Sequence, residues 1–444
     1  MIESAPSEGS VAIVGGGYSG AMLAARLAEA GVGSILIDRT GDFGLGVAYS
    51  TTFDGHLLNV RSCSMSAVAA EPDNFVRWLE ANHPRWSAPD GFAPRRLFGL
   101  YVQDRLVAVE AAHPGLIRCR AGEAVAIIDG GVQLADGETI AARAAVLATG
   151  NPAPRTASDE DGGDDSGAVI PDPWAQGALQ RIADDDDILI IGTGLTMVDM
   201  LLVLEARGWR GRAGAMSRRG LMPRAHKAVP DRPAEPDAAM THGTLSMRTG
   251  AARALAERAG WRSMMEGLRP VTAGLWQEAD MATRGRIVRH LRPWWDVHRH
   301  RIAPDVAAVM YRLLADHRLV LSAGRVRRIT AGDSGVVLDW SPRHGGPQPA
   351  RRARWLIDCT GPGHDPAHDP LTGPLIDSGR ARLDPLRLGL DLDGCGRVLD
   401  AAGVADPGLF VLGPPARAAF WETIAVPDIR KRIEDVAAAL AARV

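Results

Sequence analysis

Two glycine-rich turns hold most of the chemical information in this chain. The first, Gly15-Gly16-Gly17-Tyr18-Ser19-Gly20, sits between the apolar run Val11-Ala12-Ile13-Val14 and a helical pattern that ends at Gly31. Glycines at its first, third and sixth positions allow a tight turn, close approach of backbone to a pyrophosphate, and close packing of helix on strand. The phosphates then meet a helix N-terminus, where free N–H groups and the helix dipole favour anions. A second apolar run, Ile35-Leu36-Ile37, ends in Asp38, 21 positions after Gly17, where a carboxylate can hold ribose hydroxyls. Strand, turn, helix, strand and acid in register point to FAD held by Gly15, Gly17, Tyr18, Ser19, Gly20 and Asp38.

The second turn follows Ile188-Leu189-Ile190-Ile191 and reads Gly192-Thr193-Gly194-Leu195-Thr196-Met197, with Met197 in place of the third glycine. That change loosens the helix–strand contact but keeps Gly192 and Gly194 for the phosphates, with Thr196 at the helix start. The next strand should end near Ala215-Met216 and is followed by Ser217-Arg218-Arg219-Gly220. Guanidinium forks pair with a 2′-phosphate that an acid would repel. This predicts NADPH rather than NADH at the second site. The alternative is a solvated turn, because arginine is abundant: of 50 basic residues only Lys227 and Lys431 are lysines.

These turns need elements to carry them, and the chain has room. At 444 residues and 46% hydrophobic content it can build two to three domains. Net charge is −3, with no basic stripe interleaved with aromatics, which argues against nucleic acid. The start, Met1 to Ser10, lacks the basic and apolar regions of a signal peptide, and no uncharged apolar stretch approaches 18 residues, so a cytoplasmic protein without a membrane span is expected. Cys63, Cys119, Cys359 and Cys395 form no CxxC pair, and neither a zinc site nor a dithiol is legible.

The fold class expected is α/β, with two dinucleotide-binding (Rossmann-like) domains: an FAD domain at 1–157, an NADPH domain at 186–320 and the rest of the FAD domain at 321–444. A helical insertion at 248–317, rich in Ala, Leu, Arg and Trp, would cover the substrate site as a lid or form a subunit interface. Short strands at Leu116 to Arg118, Ala124 to Ile128, Val132 to Leu134 and Thr139 to Ile140 read as a β-meander. Ser158 to Gly167 reads as a surface crossover, and Asp184 to Asp187 as a solvated loop rather than a metal cluster.

The segments Gly44 to Ser50, His56 to Val60, Ala148 to Pro152, Gly192 to Asp199, Ser217 to Leu221, His290 to Arg301 and Trp421 to Arg430 together resemble the bacterial FAD-NAD(P)-binding protein family, whose wider relatives are the flavin-containing and N-hydroxylating monooxygenases. The resemblance spans nearly the whole chain. It implies an NADPH domain inserted into an FAD domain. It also places Thr149, Gly150 and Gly413 at the FAD, Val125 at the adenine through backbone groups, Glu422 and Thr423 by the flavin pyrimidine, and Asn59 beside the reactive flavin carbon. A neutral amide there can donate a hydrogen bond to bound oxygen without giving up a proton; the alternative for Asn59 is loop ordering. Neither the Baeyer–Villiger motif nor the late ATG-Tyr of N-hydroxylases occurs, and no cysteine pair supports a disulfide reductase.

His298, Arg299, His300 and Arg301 are either an anion-binding patch or helix-surface ion pairs, and the i, i+2 histidines do not share a helical face as a zinc site would need. His298 and Arg299 are the substrate candidates. The expected chemistry is NADPH-dependent FAD monooxygenation, with O2, of a small polar, amino-acid-like molecule, N-oxidation favoured. The alternatives are a flavin reductase or dehydrogenase that makes no productive use of O2, and a flavin-loaded redox sensor that binds a protein partner.

Overall fold

The computed structural model describes residues 9–151, 167–346, 348–361 and 366–442. The first unit opens with β1 (Val11–Val14), α1 (Tyr18–Glu29) and β2 (Ser34–Asp38). Helix α2 (Arg95–Ala112) leads into β3 (Ile117–Ala121), and β4 (Ala124–Ile128), β5 (Gly131–Leu134) and β6 (Thr139–Ala141) form the antiparallel meander before β7 (Ala144–Leu147) returns to the sheet. β1 and β7 are buried at every position, as expected of parallel strands covered on both faces. Helices α1 and α2 pack one face of the sheet through Leu23, Leu27, Phe98 and Val102, and the meander covers the other through Ile127, Val132 and Leu134.

The second unit repeats this plan. β8 (Val169–Ile170) and β9 (Ile188–Ile191) lead into α3 (Leu195–Ala206) and β10 (Ala213–Ser217). A helical region follows, including α4 (Leu245–Ala259), α5 (Trp261–Leu268) and α6 (Arg292–Arg299). Then α7 (Pro304–Ala315) crosses back to β11 (Leu319–Gly332), which pairs in parallel with β10 and continues as one arm of an antiparallel hairpin with β12 (Gly335–Pro342); β13 (Arg351–Ala353) and β14 (Trp355–Asp358) follow. The chain returns to the first sheet with β15 (Arg397–Leu399) and β16 (Ala405–Val411) and closes with α8 (Val426–Ala441) against α1.

Two expected boundaries shift. Residues 321–358 stay in the second sheet, so the return to the first comes after β14 and not at 321. Helix α7 belongs to the second unit's own core, where Val306, Ala307, Met310 and Leu313 are buried against α3 and the sheet; the added helices lie before it. Its apolar spacing is that of any sheet-covering helix, and its composition does not set it apart from the helices it follows. The crossover expected at 158–167, apart from Gly167, lies outside the described residues.

Candidate functional site

At the first turn the backbone leaves no room for side chains. Gly15 has φ +111°, and a Cβ there would sit 2.3 Å from the Ala148 carbonyl oxygen; at Gly20 it would sit 1.9 Å from the Gly15 oxygen. Helix α1 starts at Gly17 with no side-chain cap and no acid in its first turn, so its leading N–H groups remain available to an anion. Gly413, at φ +79°, brings the end of β16 against Ser19, where a Cβ would meet the hydroxyl oxygen at 2.6 Å. Thr149 and Gly150 follow β7 beside Gly15, while the Tyr18 ring turns into the core against Phe98, leaving only its backbone for a ligand. Asp38 ends β2, its carboxylate accepting from Gly16 N at 2.7 Å and from Thr40 N at 2.9 Å. Val125 lies half-buried on β4. Clefts that only glycine fits, facing an uncapped helix start, suit a dinucleotide pyrophosphate.

The second turn occupies the same place in strand register as the first. Ile191 pairs with Met216 and Asp358 as Val14 pairs with Ile37 and Leu147. Gly192 has φ +101°, and its Cβ would lie 2.0 Å from the Cys359 oxygen. Gly194 precedes α3, again with no side-chain cap, and Thr196 lies half-buried in the first turn. Met197, where the first unit has Gly20, is fully buried. This register puts Ser217 at the position of Asp38. Its hydroxyl accepts from Thr193 Oγ1 at 2.8 Å and from Gly220 N at 2.9 Å, fixing the turn that presents exposed Arg218 and half-exposed Arg219.

Asn59 lies half-buried in a bend, and its carboxamide has no hydrogen-bond partner among the described residues. Its carbonyl oxygen accepts from His226 Nε2 at 3.0 Å, across from the second unit. Burial, with the charges of Arg301 and Arg61, holds the His226 imidazole down to about 4, so it is neutral and its proton is on Nε2. Arg61 donates to the backbone oxygens of Lys227 and Ala228, and Arg95 forms a two-pronged pair with Asp199 of α3 at 2.8 and 3.1 Å. His56 donates from Nε2 to the Asp199 carbonyl and accepts at Nδ1 from Thr51. This seam of His56, Asn59, Arg61 and Arg95 against Asp199 and His226 was missed from sequence. Its one local sign was an acid, Asp199, in the middle of the apolar stretch Leu195 to Leu204 of α3.

The substrate candidates part company. Arg299 is buried, its guanidinium held by Asp428 at 3.0 Å and Glu422 at 3.1 Å. It is therefore a core ion pair and not an open anion site. His298 donates from Nδ1 to the Trp294 oxygen at 2.7 Å and sets its ring edge-on to Trp261, facing another way. Glu422 also accepts from Trp295 Nε1 at 2.7 Å, so its carboxylate is committed to protein. Glu422 and Thr423 precede α8 and are not its first turn. The Thr423 hydroxyl is fully buried with no hydrogen-bond partner among the described residues, bonding capacity left over where the resemblance puts the flavin pyrimidine.

Residues 12–152 match the model of the FAD-NAD(P)-binding family. That segment holds the first turn, Asp38, Asn59, Val125 and Thr149–Gly150. A comparison with curated proteins finds no match. Among solved structures, ornithine hydroxylase PvdA from Pseudomonas aeruginosa in its reduced form is similar at a TM-score of 0.64 and 18% identity over 99% of both chains. Ornithine N-hydroxylase KtzI from Kutzneria sp. 744, with reduced FAD, NADP+ and L-ornithine, gives 0.63 and 14% over 98% of this chain and 99% of that one. DfoA, a cadaverine monooxygenase from Erwinia amylovora bound to FAD, gives 0.66 and 13% over 99% and 95%. The chain has the two-dinucleotide-domain fold of these enzymes, end to end.

Proposed function

We propose that this protein is an FAD-dependent monooxygenase reduced by NADPH, acting on a small polar amine with nitrogen as the favoured site of oxidation. The observation that carries this reading is the pair of register-matched cradles, one ending in Asp38 and the other in Ser217-Arg218-Arg219, joined at a seam where the Asn59 carboxamide is unpaired. Gly15, Gly17, Ser19, Thr149, Gly150 and Gly413, with Tyr18 and Gly20 through backbone, hold FAD; Asp38 takes its ribose, Val125 its adenine, and Thr423 with the backbone of Glu422 its pyrimidine. Gly192, Gly194 and Thr196 take the coenzyme pyrophosphate, and Ser217, Arg218 and Arg219 its 2′-phosphate. FAD, when bound, accepts the hydride and activates oxygen.

The reaction balances as amine, NADPH, O2 and a proton giving hydroxylamine, NADP+ and water. Asn59 donates a hydrogen bond without releasing a proton, and the seam beside it keeps out water that would divert the reaction. The solved structures named for ornithine and cadaverine support an amine substrate, and Cys63, Cys119, Cys359 and Cys395 have neither the CxxC nor the CxxxxC spacing of a dithiol relay. The test is NADPH oxidation in air across a panel of diamines and amino acids, with hydroxylamine and hydrogen peroxide measured together. Stimulated turnover with hydroxylamine formed is expected, and Asn59→Leu should shift the product toward hydrogen peroxide. Quantitative electron transfer to an organic acceptor without O2, and no oxygenated product, overturns the reading in favour of a dehydrogenase. Flavin unreduced by NADPH in the presence of every amine favours a redox sensor.

A further inference from the structure

The two units match in register, so each residue near one nucleotide has a counterpart near the other. Asp38 of β2 pairs with Ala121 of β3, and Ser217 of β10 pairs with Ala323 of β11. Two residues past these partners stand Glu123 in the first unit, just after β3, and Arg325 within β11 in the second, both exposed. The ribose end of the first unit thus carries acids at both positions. At the same end of the second, a hydroxyl and guanidinium groups take their place.

The backbone directs Arg325 toward this end. Leu319 and Leu321 pack on the α3 side of the sheet and Val326 on the opposite side. Alternation therefore puts Ala323 and Arg325 on the α3 side with Ser217. Neighbouring strands lie about 4.8 Å apart and two residues advance roughly 6.8 Å, a distance an extended arginine side chain spans. The Arg218–Arg219 turn is pressed onto the same strand: Gly220 has φ +62°, and a Cβ on it would lie 3.0 Å from Ala323 N. Arg343 N donates to the Ala323 oxygen at 2.9 Å, so a further arginine branches from the same point of the strand.

None of Arg218, Arg219, Arg325 and Arg343 has a carboxylate partner among the described residues. Arg327 of the hairpin donates to Ser341, and beyond the hairpin Arg351 donates to Ser322 and Arg354 to the Asp333 oxygen. We propose that Arg325, from the hairpin of β11 and β12, is a determinant of coenzyme choice that binds the 2′-phosphate together with Arg218 and Arg219. The proposal rests on the reading of the second turn as the NADPH site. It makes the pocket a joint product of two segments about a hundred residues apart in sequence, with a planar fork on each side of the phosphate.

The test uses FAD-loaded, full-length protein and calorimetric titration with adenosine 2′,5′-bisphosphate and with adenosine 5′-monophosphate, which lacks the 2′-phosphate. Arg325→Gln should weaken bisphosphate binding by about 10-fold or more and leave the monophosphate unchanged, as expected for a lost charged hydrogen bond. Arg325→Lys should recover part of the loss, since it restores charge without the fork. Unchanged FAD content and monophosphate affinity show that the variants are folded. If Arg325→Gln leaves bisphosphate binding intact, or weakens both ligands equally, while Arg218→Gln weakens the bisphosphate alone, the inference fails and the NADPH reading stands. If the wild-type protein does not discriminate between the two ligands, the NADPH reading itself fails.

Discussion

The two nucleotide units differ far less in backbone than in the residues at their ends. Gly15 and Gly192 both have positive φ, and each would drive a Cβ into a carbonyl of the neighbouring strand's end; the residues that follow, Thr149-Gly150 and Thr360-Gly361, also match, with φ +74° and +86° at the glycines. The cradle is thus a steric device common to both. At the third glycine the units part: Gly20 admits no Cβ, whereas Met197 is buried in full. They part again at the strand end, Asp38 against Ser217. On the proposed function, the shared backbone would take the pyrophosphate, and the side chains at the strand end would choose the nucleotide.

The largest effect expected separates the two cradles. Gly15→Ala adds a Cβ at a strained positive φ and into a carbonyl, and should give colourless protein that does not regain FAD on reconstitution. Gly192→Ala should give yellow protein that NADPH no longer reduces. FAD content and anaerobic reduction measure both, and a Gly192→Ala protein reduced at the normal rate breaks the comparison. Gly17→Ala is the milder control, since φ there is −69° and its Cβ would rest at an ordinary 3.4 Å from Gly46.

Next in size is the seam between the units. Asp199→Leu leaves the largely buried Arg95 guanidinium without its partner, and removal of one member of a buried pair costs about 3–5 kcal/mol. Denaturant unfolding should show that loss. Arg95→Leu with Asp199→Leu should recover much of it, because no buried charge is then stranded. A double variant as unstable as the single one would mean that the pair is not the source of the stability.

What could be read in advance, and what could not, follows the range of the physics. Both turns, Asp38 and the Ser217-Arg218-Arg219 step were legible because glycine sterics and strand ends are local. The boundary at 321 was misplaced because β11 is one 14-residue strand that changes partner from β10 to β12 with no break in its pattern. Arg299 was read as a surface or substrate charge because a run of charge normally lies in solvent; its partners Glu422 and Asp428 come from a segment more than a hundred residues later. Asn59 and His226 are 167 residues apart, and nothing in either neighbourhood announces their contact.

A smaller effect sharpens the difference at the strand ends. Replacing Arg218 and Arg219 together by Ala should weaken NADPH reduction of the flavin by about 1.5–3 kcal/mol for each charged hydrogen bond lost, with NADH nearly unchanged. Stopped-flow reduction with both coenzymes gives the ratio directly. Equal losses would assign the pair to the fold.

The smallest effect concerns pH, and it also acts at the seam. His226 sits in the folded protein with its imidazole held down to about 4 by burial and by the Arg301 and Arg61 charges. The unfolded chain takes up that proton near pH 6.5. Between those values the unfolded state binds more protons than the folded one, so stability falls as pH falls, and the loss is complete only below about 4. At pH 5 the His226 contribution amounts to about 2 kcal/mol relative to pH 7. Replacing the imidazole with a side chain that still donates, His226→Gln, should lower stability at pH 7 slightly and flatten its dependence between pH 7 and 5. Charging His226 would also place a cation beside Arg61 and Arg301, and their mutual repulsion would strain the seam that carries Asn59. Coupling of NADPH oxidation to oxygenated product should therefore decline over the same window in the wild type but not in His226→Gln. A pH profile unchanged by the substitution would show that other groups set it and that the His226–Asn59 bond only ties the two units together.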